Sequence, residues 1–375
     1  MKRKQDKYIA IFSAYIPPHV GGIERYVINL VKQFNKLGYK SIVVTSNYNN
    51  DKDIEETDFG MVIRLPIYNV FKNRYPIIKN NKIKKDLMKE LDKYNIVSMI
   101  VNTRFHLTSH VGVKYANKKN IPVYLIEHGS NYITLDNKFI DFFANRYEDL
   151  LTLCIRNKIE GFYGVSNACS KWLKKLNITA NGTWYNSIDT ATNAIEKKKH
   201  KEINFLYAGR IIRQKGVYNI LVSFKNLLLK YDNIHLYIAG DGAELDDYKE
   251  KFINDRIHFL GKLSLDELNE YYSICDVFLY PTNYPEGLPT SILEAGLMNC
   301  AVIGTDRGGV VEIIADGKNG MIVPFGVDDL EFAMDKLIND KKLREKLATE
   351  LYVTVNNKFS WEVTAKKILK DMNLK

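Results

Sequence analysis

Short apolar runs, each closed by a loop, alternate with amphipathic stretches along most of the chain. In the first half YIAIFSAYI, SIVVTS, IVSMIVN, IPVYLIEHG and IEGFYGVS read as strands, with segments such as IERYVINLVKQFNKLG between them at helical spacing. This rhythm predicts parallel βαβ units. It pauses over residues 181–202, NGTWYNSIDTATNAIEKKKHKE, which are polar, charged and aperiodic, then resumes with INFLYAGR, IHLYIAGDG, IHFLGKL, DVFLYPT, CAVIGT and NGMIVP. Two doubly wound domains joined near residue 190 account for the pattern. Ligands of such sheets bind beyond the carboxyl ends of the strands, so a cleft between the domains is the expected site. The opening MKRKQDKYIAIFSAYIPP has the basic-then-apolar order of a leader, but its run is short and no small-residue cleavage site follows, so it is read as the first strand. No uncharged apolar stretch reaches about 18 residues, and no membrane span is expected.

Composition adds little beyond size and charge. At 375 residues, 46% hydrophobic and 12% aromatic, the chain has the material for two folded domains. Cys154, Cys169, Cys275 and Cys300 show neither CxxC spacing nor clustering with histidine, and are expected to be buried thiols in a reducing, cytoplasmic setting. Charge is unevenly placed: residues 1–190 carry 29 Lys+Arg against 17 Asp+Glu, a net +12, whereas the remaining 185 carry 25 against 27, a net −2. The densest cluster lies at 71–91, FKNRYPIIKNNKIKKDLMKEL, where Lys82, Lys85 and Lys89 share one helical stripe and Ile83, Leu87 and Leu91 another. A solvated lysine face explains this as well as contact with an anionic membrane surface does. No recognisable nucleic-acid module accompanies the charge.

Two loops after strands carry candidate chemistry. GRIIRQKG follows INFLYA and sets Arg210 and Lys215 beside Gly209 and Gly216, with VYNILVSFKNLL opening a helix behind them. Two cations next to permissive backbone at a helix N-terminus suit a phosphate. The other loop, EGLPTSILE, places Glu286 before a helix that Pro289 starts, and Glu294 on it. Eight helical steps cover roughly 12 Å, too far for the two carboxylates to share a proton or a metal, so what they hold is long. In the first half, PPHVGGIERY supplies a glycine pair, Gly21 and Gly22, after the first strand.

GRIIRQKG, LYIAGDG, FLGKLSLDELNEYYSICDVFLYPT, EGLPTSILEAGLMNCAVIGTDRGGVVEII and DGKNGMIVP, with GGIERYVINLVKQFNKLGY, EHGS, GVSNACSKWL and NSID upstream, resemble the retaining glycosyltransferases of family 4 in order and spacing. The resemblance covers nearly the whole chain and implies the α/β GT-B fold, two Rossmann-like domains facing across a cleft. It implies an acceptor-binding domain over 1–188, a nucleotide-sugar domain over 189–358 and a helix over 359–375 crossing back to the first. It gives Glu286 to the donor sugar, Glu294 to the ribose hydroxyls, and Arg210 and Lys215 to the pyrophosphate. It places His128 of EHGS beside the reacting carbon. Gly21, Gly22, Gly209, Leu260, Gly287, Leu288, Pro289 and Thr290 are the further donor-binding positions. Ser187 stands where the family more often has glycine, and Asn299 and Cys300 replace a commonly small pair.

The implied reaction moves a sugar, with retention, from a nucleotide diphosphate sugar to a hydroxyl of a glycan or lipid-linked acceptor, as in cell-surface polysaccharide synthesis. A uridine donor is expected first and a guanosine one second. No metal and no other cofactor is called for, since the two cations would take the metal's part. The expected partners are the nucleotide sugar, the acceptor and an anionic membrane surface met by the basic first domain, with no nucleic acid; the expected location is cytoplasmic, at the inner face of the membrane. A catalytically inactive partner subunit is the alternative, although Arg210, Lys215, Glu286 and Glu294 are all retained. A phosphorylase of similar fold would call for a pyridoxal-binding lysine context and a far longer chain.

Overall fold

The computed structural model describes residues 6–19, 21–70, 75–132, 138–190, 197, 198, 200–284 and 287–374. By its contacts the chain divides into two units, one of residues 1–186 with 364–375 and one of residues 187–363.

The first unit begins with β1 (Tyr8–Phe12), α1 (Gly22–Lys36) and β2 (Lys40–Ser46), followed by β3 (Ile54–Thr57), β4 (Gly60–Leu65), β5 (Ile67–Val70) and β6 (Tyr75–Ile78). After these come α2 (Lys82–Glu90), β7 (Ile96–Asn102), α3 (Leu107–Lys119), β8 (Val123–Glu127), α4 (Lys138–Ile155), β9 (Gly161–Gly164), α5 (Asn167–Leu173) and β10 (Gly182–Thr183). Eight strands form one sheet in the order β10-β9-β8-β7-β1-β2-β4-β3, and every neighbouring pair is parallel except β3 with β4. Such a sheet, covered by helices, needs strands apolar on both faces, and Ile9, Ala10, Ile11 and Phe12 of β1 are fully buried. Helix α3 crosses β1 at Gly112, where a Cβ would lie 2.7 Å from the Phe12 ring, so a small residue sets how closely the two pack. The short strands β3 to β6 and β10 lie outside the predicted alternation, as does the inward turn at Trp184, which is wholly buried and donates through Nε1 to Asp371 Oδ2 at 2.8 Å.

The second unit runs β11 (Ile203–Ala208), α6 (Val217–Leu227), β12 (Ile234–Ala239), α7 (Leu245–Lys251), β13 (Ile257–Gly261), α8 (Leu265–Ile274), β14 (Val277–Tyr280) and α9 (Thr290–Leu297). It continues with β15 (Ala301–Thr305), α10 (Val310–Ile313), β16 (Met321–Val323), α11 (Asp328–Asn339) and α12 (Lys341–Lys358). Its six strands are all parallel, in the order β13-β12-β11-β14-β15-β16. β11 is buried along its whole length, and α8 starts with a capping box in which Ser264 and Glu267 satisfy each other's backbone amides. A last helix, α13 (Trp361–Asp371), belongs to the first unit from Thr364 onward.

Two expectations are corrected. Cys169, Cys275 and Cys300 are buried, but Cys154 is exposed, because α4 turns its polar side inward. Of the α2 residues paired by periodicity, Leu87 is buried and Leu91 beyond the helix is fully buried, while Ile83 is exposed. Lys82, Lys85 and Lys89 face solvent; residues 71–74 of that cluster lie outside the described residues.

Candidate active site

In the second unit β11 ends at Ala208 and the chain turns through Gly209, whose amide donates to the Ala239 carbonyl at 3.0 Å. The turn is held by Tyr207, whose hydroxyl donates to the Arg210 carbonyl at 2.8 Å. After one turn of 3-10 helix at Arg213–Lys215, Gly216 takes φ +78°, a left-handed conformation that also makes it the N-cap of α6. A Cβ there would overlap the Pro281 carbonyl oxygen, so glycine is required twice, for its conformation and for the close approach of the loop after β14. That second loop is tied to the first by Asn283, whose amide donates to the Gln214 carbonyl at 2.7 Å.

These ties bring the two cations together. Lys215 is buried, with Nζ 5.7 Å from the Tyr280 ring and 5.2 Å from the Tyr284 ring. Arg210 is exposed, its guanidinium 5.6 Å from the same Tyr284 ring. Burial, then the neighbouring Arg210 charge, pushes the Lys215 ammonium down to about 8. Bringing an anion to this loop would reverse both effects, because it returns a counter-charge where water has been removed.

The EGLPTSILE segment folds as a loop and helix. Pro289 occupies the N-cap with ψ 109° and α9 starts at Thr290, one residue later than expected. Gly287, Leu288, Pro289 and Thr290 thus form the approach to a helix N-terminus. Its backbone lies against the turn at Gly309, where a Cβ would overlap the Gly287 carbonyl. Glu294 is in the second turn of α9 and accepts from the buried Tyr272 hydroxyl of α8 at 3.2 Å. Glu286 lies outside the described residues. Leu260 is half-buried near the end of the edge strand β13, before Gly261 at φ +69°.

In the first unit His128 follows β8. Asn102, last residue of β7, donates through Nδ2 to the Phe12 carbonyl at 3.1 Å and turns Oδ1 to His128 Nε2 at 2.8 Å. The oxygen accepts, so Nε2 carries the proton and Nδ1 the lone pair. Burial, then His106, holds the imidazole down to about 3, which keeps it neutral. Tyr26 of α1 meets the ring edge-on at 5.1 Å, linking His128 to the helix that Gly21 caps and Gly22 starts. Gly21 is extended at φ −166°, and Glu24 Oε1 beneath it pairs with His19 Nδ1 at 2.7 Å.

Several residues that support these positions carry no sequence signal of their own. Asn102 is one, because an asparagine at a strand end is common. Another is Lys197, inside the apparent linker, whose Nζ donates to the carbonyls of Cys275, Met298 and Asn299, a cation closing the C-terminal end of α9. A third is Arg104, buried between Glu127 Oε2 at 3.0 Å and Glu148 Oε2 at 2.7 Å, with its guanidinium 4.2 Å from the Trp172 ring.

Residues 20–192 match the family described as Glycosyltransferase Family 4, and residues 189–352 match Glycosyl transferases group 1. An uncharacterized glycosyltransferase of Methanocaldococcus jannaschii is 24% identical over 96% of this chain and 97% of its own. The capsular polysaccharide biosynthesis glycosyltransferase CapM of Staphylococcus aureus is 28% identical over 49% of this chain and 50% of its own. The solved structure of Anabaena HepE in complex with UDP superposes with a TM-score of 0.73 at 15% identity, covering 98% of this chain and all of that one. With both units Rossmann-like and the paired family matches running from residue 20 to 352, the chain belongs to the group 1, family 4 glycosyltransferases of GT-B fold.

Proposed function

We propose that this glycosyltransferase moves a sugar, with retention and without a metal, from a nucleotide diphosphate sugar to a hydroxyl of a glycan or lipid-linked acceptor. The observation that carries the reading is the buried Lys215 beside Arg210 in a glycine-set loop at the N-terminus of α6. A departing diphosphate gains charge as the anomeric C–O bond breaks. Cations already held in place, Lys215 buried and Arg210 at the surface beside it, stabilise that charge with little reorganisation.

Each remaining residue takes one part. Glu294, reached by the Tyr272 hydroxyl at 3.2 Å, has acceptor capacity for ribose hydroxyls. The Gly287–Thr290 backbone offers amides to a phosphate. Neutral His128 can accept a hydrogen bond from a sugar hydroxyl through Nδ1 without adding charge. The family resemblance assigns Glu286 to the donor sugar. The new glycosidic bond forms on the face the diphosphate leaves, and a phosphate oxygen takes the acceptor's proton. UDP in HepE favours a uridine donor, with guanosine second, and CapM supports a role in cell-surface polysaccharide synthesis.

Among the described residues no helix is long and apolar enough to cross a membrane. Docking of the first unit on an anionic surface, supported by its net positive charge, forms part of the proposal, as does work at the inner membrane face. The test is acceptor-free hydrolysis of a panel of nucleotide sugars, with and without EDTA, and NMR of the first-formed anomer. Hydrolysis of a UDP-sugar, unaffected by the chelator and retaining, is expected. Activity lost to EDTA and restored by magnesium, or an inverted product, would overturn the corresponding part.

A further inference from the structure

Helix α4 is amphipathic in the reverse sense. Its buried residues are Glu148, Thr152 and Ile155, two of them polar, and its outward stripe is apolar. Phe142, Phe143, Tyr147, Leu150 and Leu153 are 55%, 56%, 50%, 61% and 51% exposed, and Cys154 is exposed beside them. The arrangement is fixed by Arg104. Its guanidinium clamps Glu148 to Glu127 at the end of β8, and the Thr152 hydroxyl returns to the Glu148 carbonyl at 2.7 Å. Turning the aromatic face inward would leave that buried cation short of a carboxylate, a loss of about 3–5 kcal/mol.

We propose that this stripe of α4 is the membrane-contact face of the first unit, lying flat in the headgroup region of an anionic bilayer; this rests on the reading of the chain as a transferase that works at a lipid surface. Two observations choose that occupant. The unit carries 33 Lys+Arg against 17 Asp+Glu, a net +16, while the other unit carries 21 against 27, a net −6. Arg146, which pairs with Asp149 at 3.6 Å, rides over Phe142 at 5.4 Å, and Lys158 is exposed just past the helix. The second observation is shape: Phe139 and Ile140, 73% and 48% exposed, continue the same apolar face, so it runs as one stripe along the helix, which a bilayer accepts laid in its plane. Phe and Leu enter the acyl boundary and Tyr147 suits the interface.

Cys154 reports directly, because the other three cysteines are buried. An environment-sensitive fluorophore on Cys154 of the full chain is expected to shift to the blue and lose iodide quenching with phosphatidylcholine vesicles containing phosphatidylglycerol, and to respond far less to phosphatidylcholine alone. The triple variant Phe142→Gln, Phe143→Gln, Leu150→Gln should partition into the mixed vesicles about a hundredfold less. Vesicle binding with a water-like label would assign contact to another face, such as the α2 lysines, and would overturn the proposal. So would an unchanged partition of the triple variant, or lipid-free dimers that it dissolves. Acceptor-free UDP-sugar hydrolysis on the same samples separates the two readings: wild-type protein that hydrolyses the donor yet binds no mixed vesicles counts against docking alone, and wild-type docking without any donor hydrolysis counts against the transferase assignment alone.

Discussion

The loop before α6 and the surroundings of His128 solve opposite electrostatic problems. In the second unit burial, and then the charge of Arg210 beside it, brings Lys215 down to about 8. In the first unit the buried cation Arg104 is bonded to two carboxylates, and His128 is kept neutral by burial and aimed by an amide rather than an acid. A doubly wound sheet thus offers the same strand-end loops for either purpose. What differs is whether charge is gathered for a ligand or used up within the fold.

The widest test of that contrast is to remove a gathered charge. Lys215→Ala and Arg210→Ala should each lower kcat about a hundredfold, about 3 kcal/mol, with unchanged circular dichroism. A near-normal rate in a folded variant would return the loop to an ordinary basic turn. Next comes the neutral side. Asn102→Asp places a carboxylate on His128 Nε2, raises its pKa and gives turnover a new acid limb, with about a tenfold loss at pH 6. The sign follows from protonation: a charged imidazole has no acceptor at Nδ1, so activity drops as pH falls. An NMR titration showing no upward shift of His128 would refute the role of Asn102.

Glu294→Ala should raise the donor KM about tenfold with little change in kcat, since a ribose contact is made in ground and transition states alike. Collapse of kcat at an unchanged KM would move Glu294 into the reaction itself. The smallest effect is a slope. Lys215 in the unliganded protein loses its proton as pH rises through about 8, and a bound diphosphate holds that proton. UDP affinity should therefore weaken above pH 8, approaching tenfold per unit, and calorimetry in two buffers should show proton uptake on binding. Pure proton release would contradict this.

Much of the fold and part of the site are legible in the amino-acid order alone. The strands of IVSMIVN, INFLYA and DVFLY stand out because parallel strands buried on both faces are nearly continuous apolar runs. The hairpin of β3 with β4 does not, because one of its strands is IEET, half in solvent. The cations and Glu294 are readable from spacing, but the partners that aim or close them lie far along the chain: Asn102 for His128, Tyr272 for Glu294, Lys197 for the end of α9. Residues 181–202 depart furthest from expectation. Their polar composition suggests only a tether, yet Trp184 within them is a fully buried anchor, since its single donor finds Asp371 187 positions later.

That anchor gives the protein an order of assembly. Residues 187–363 form a contiguous unit, whereas the first unit is made of residues 1–186 and the later segment 364–375. On a ribosome adding about 5–20 residues per second, every residue of the second unit is synthesised before the first, though begun earlier, receives its closing segment. Trp184 must wait about ten seconds or more for its acceptor. A chain truncated after residue 363 would keep every residue of the second unit while leaving Trp184 in the first without Asp371, the acceptor of its indole N–H.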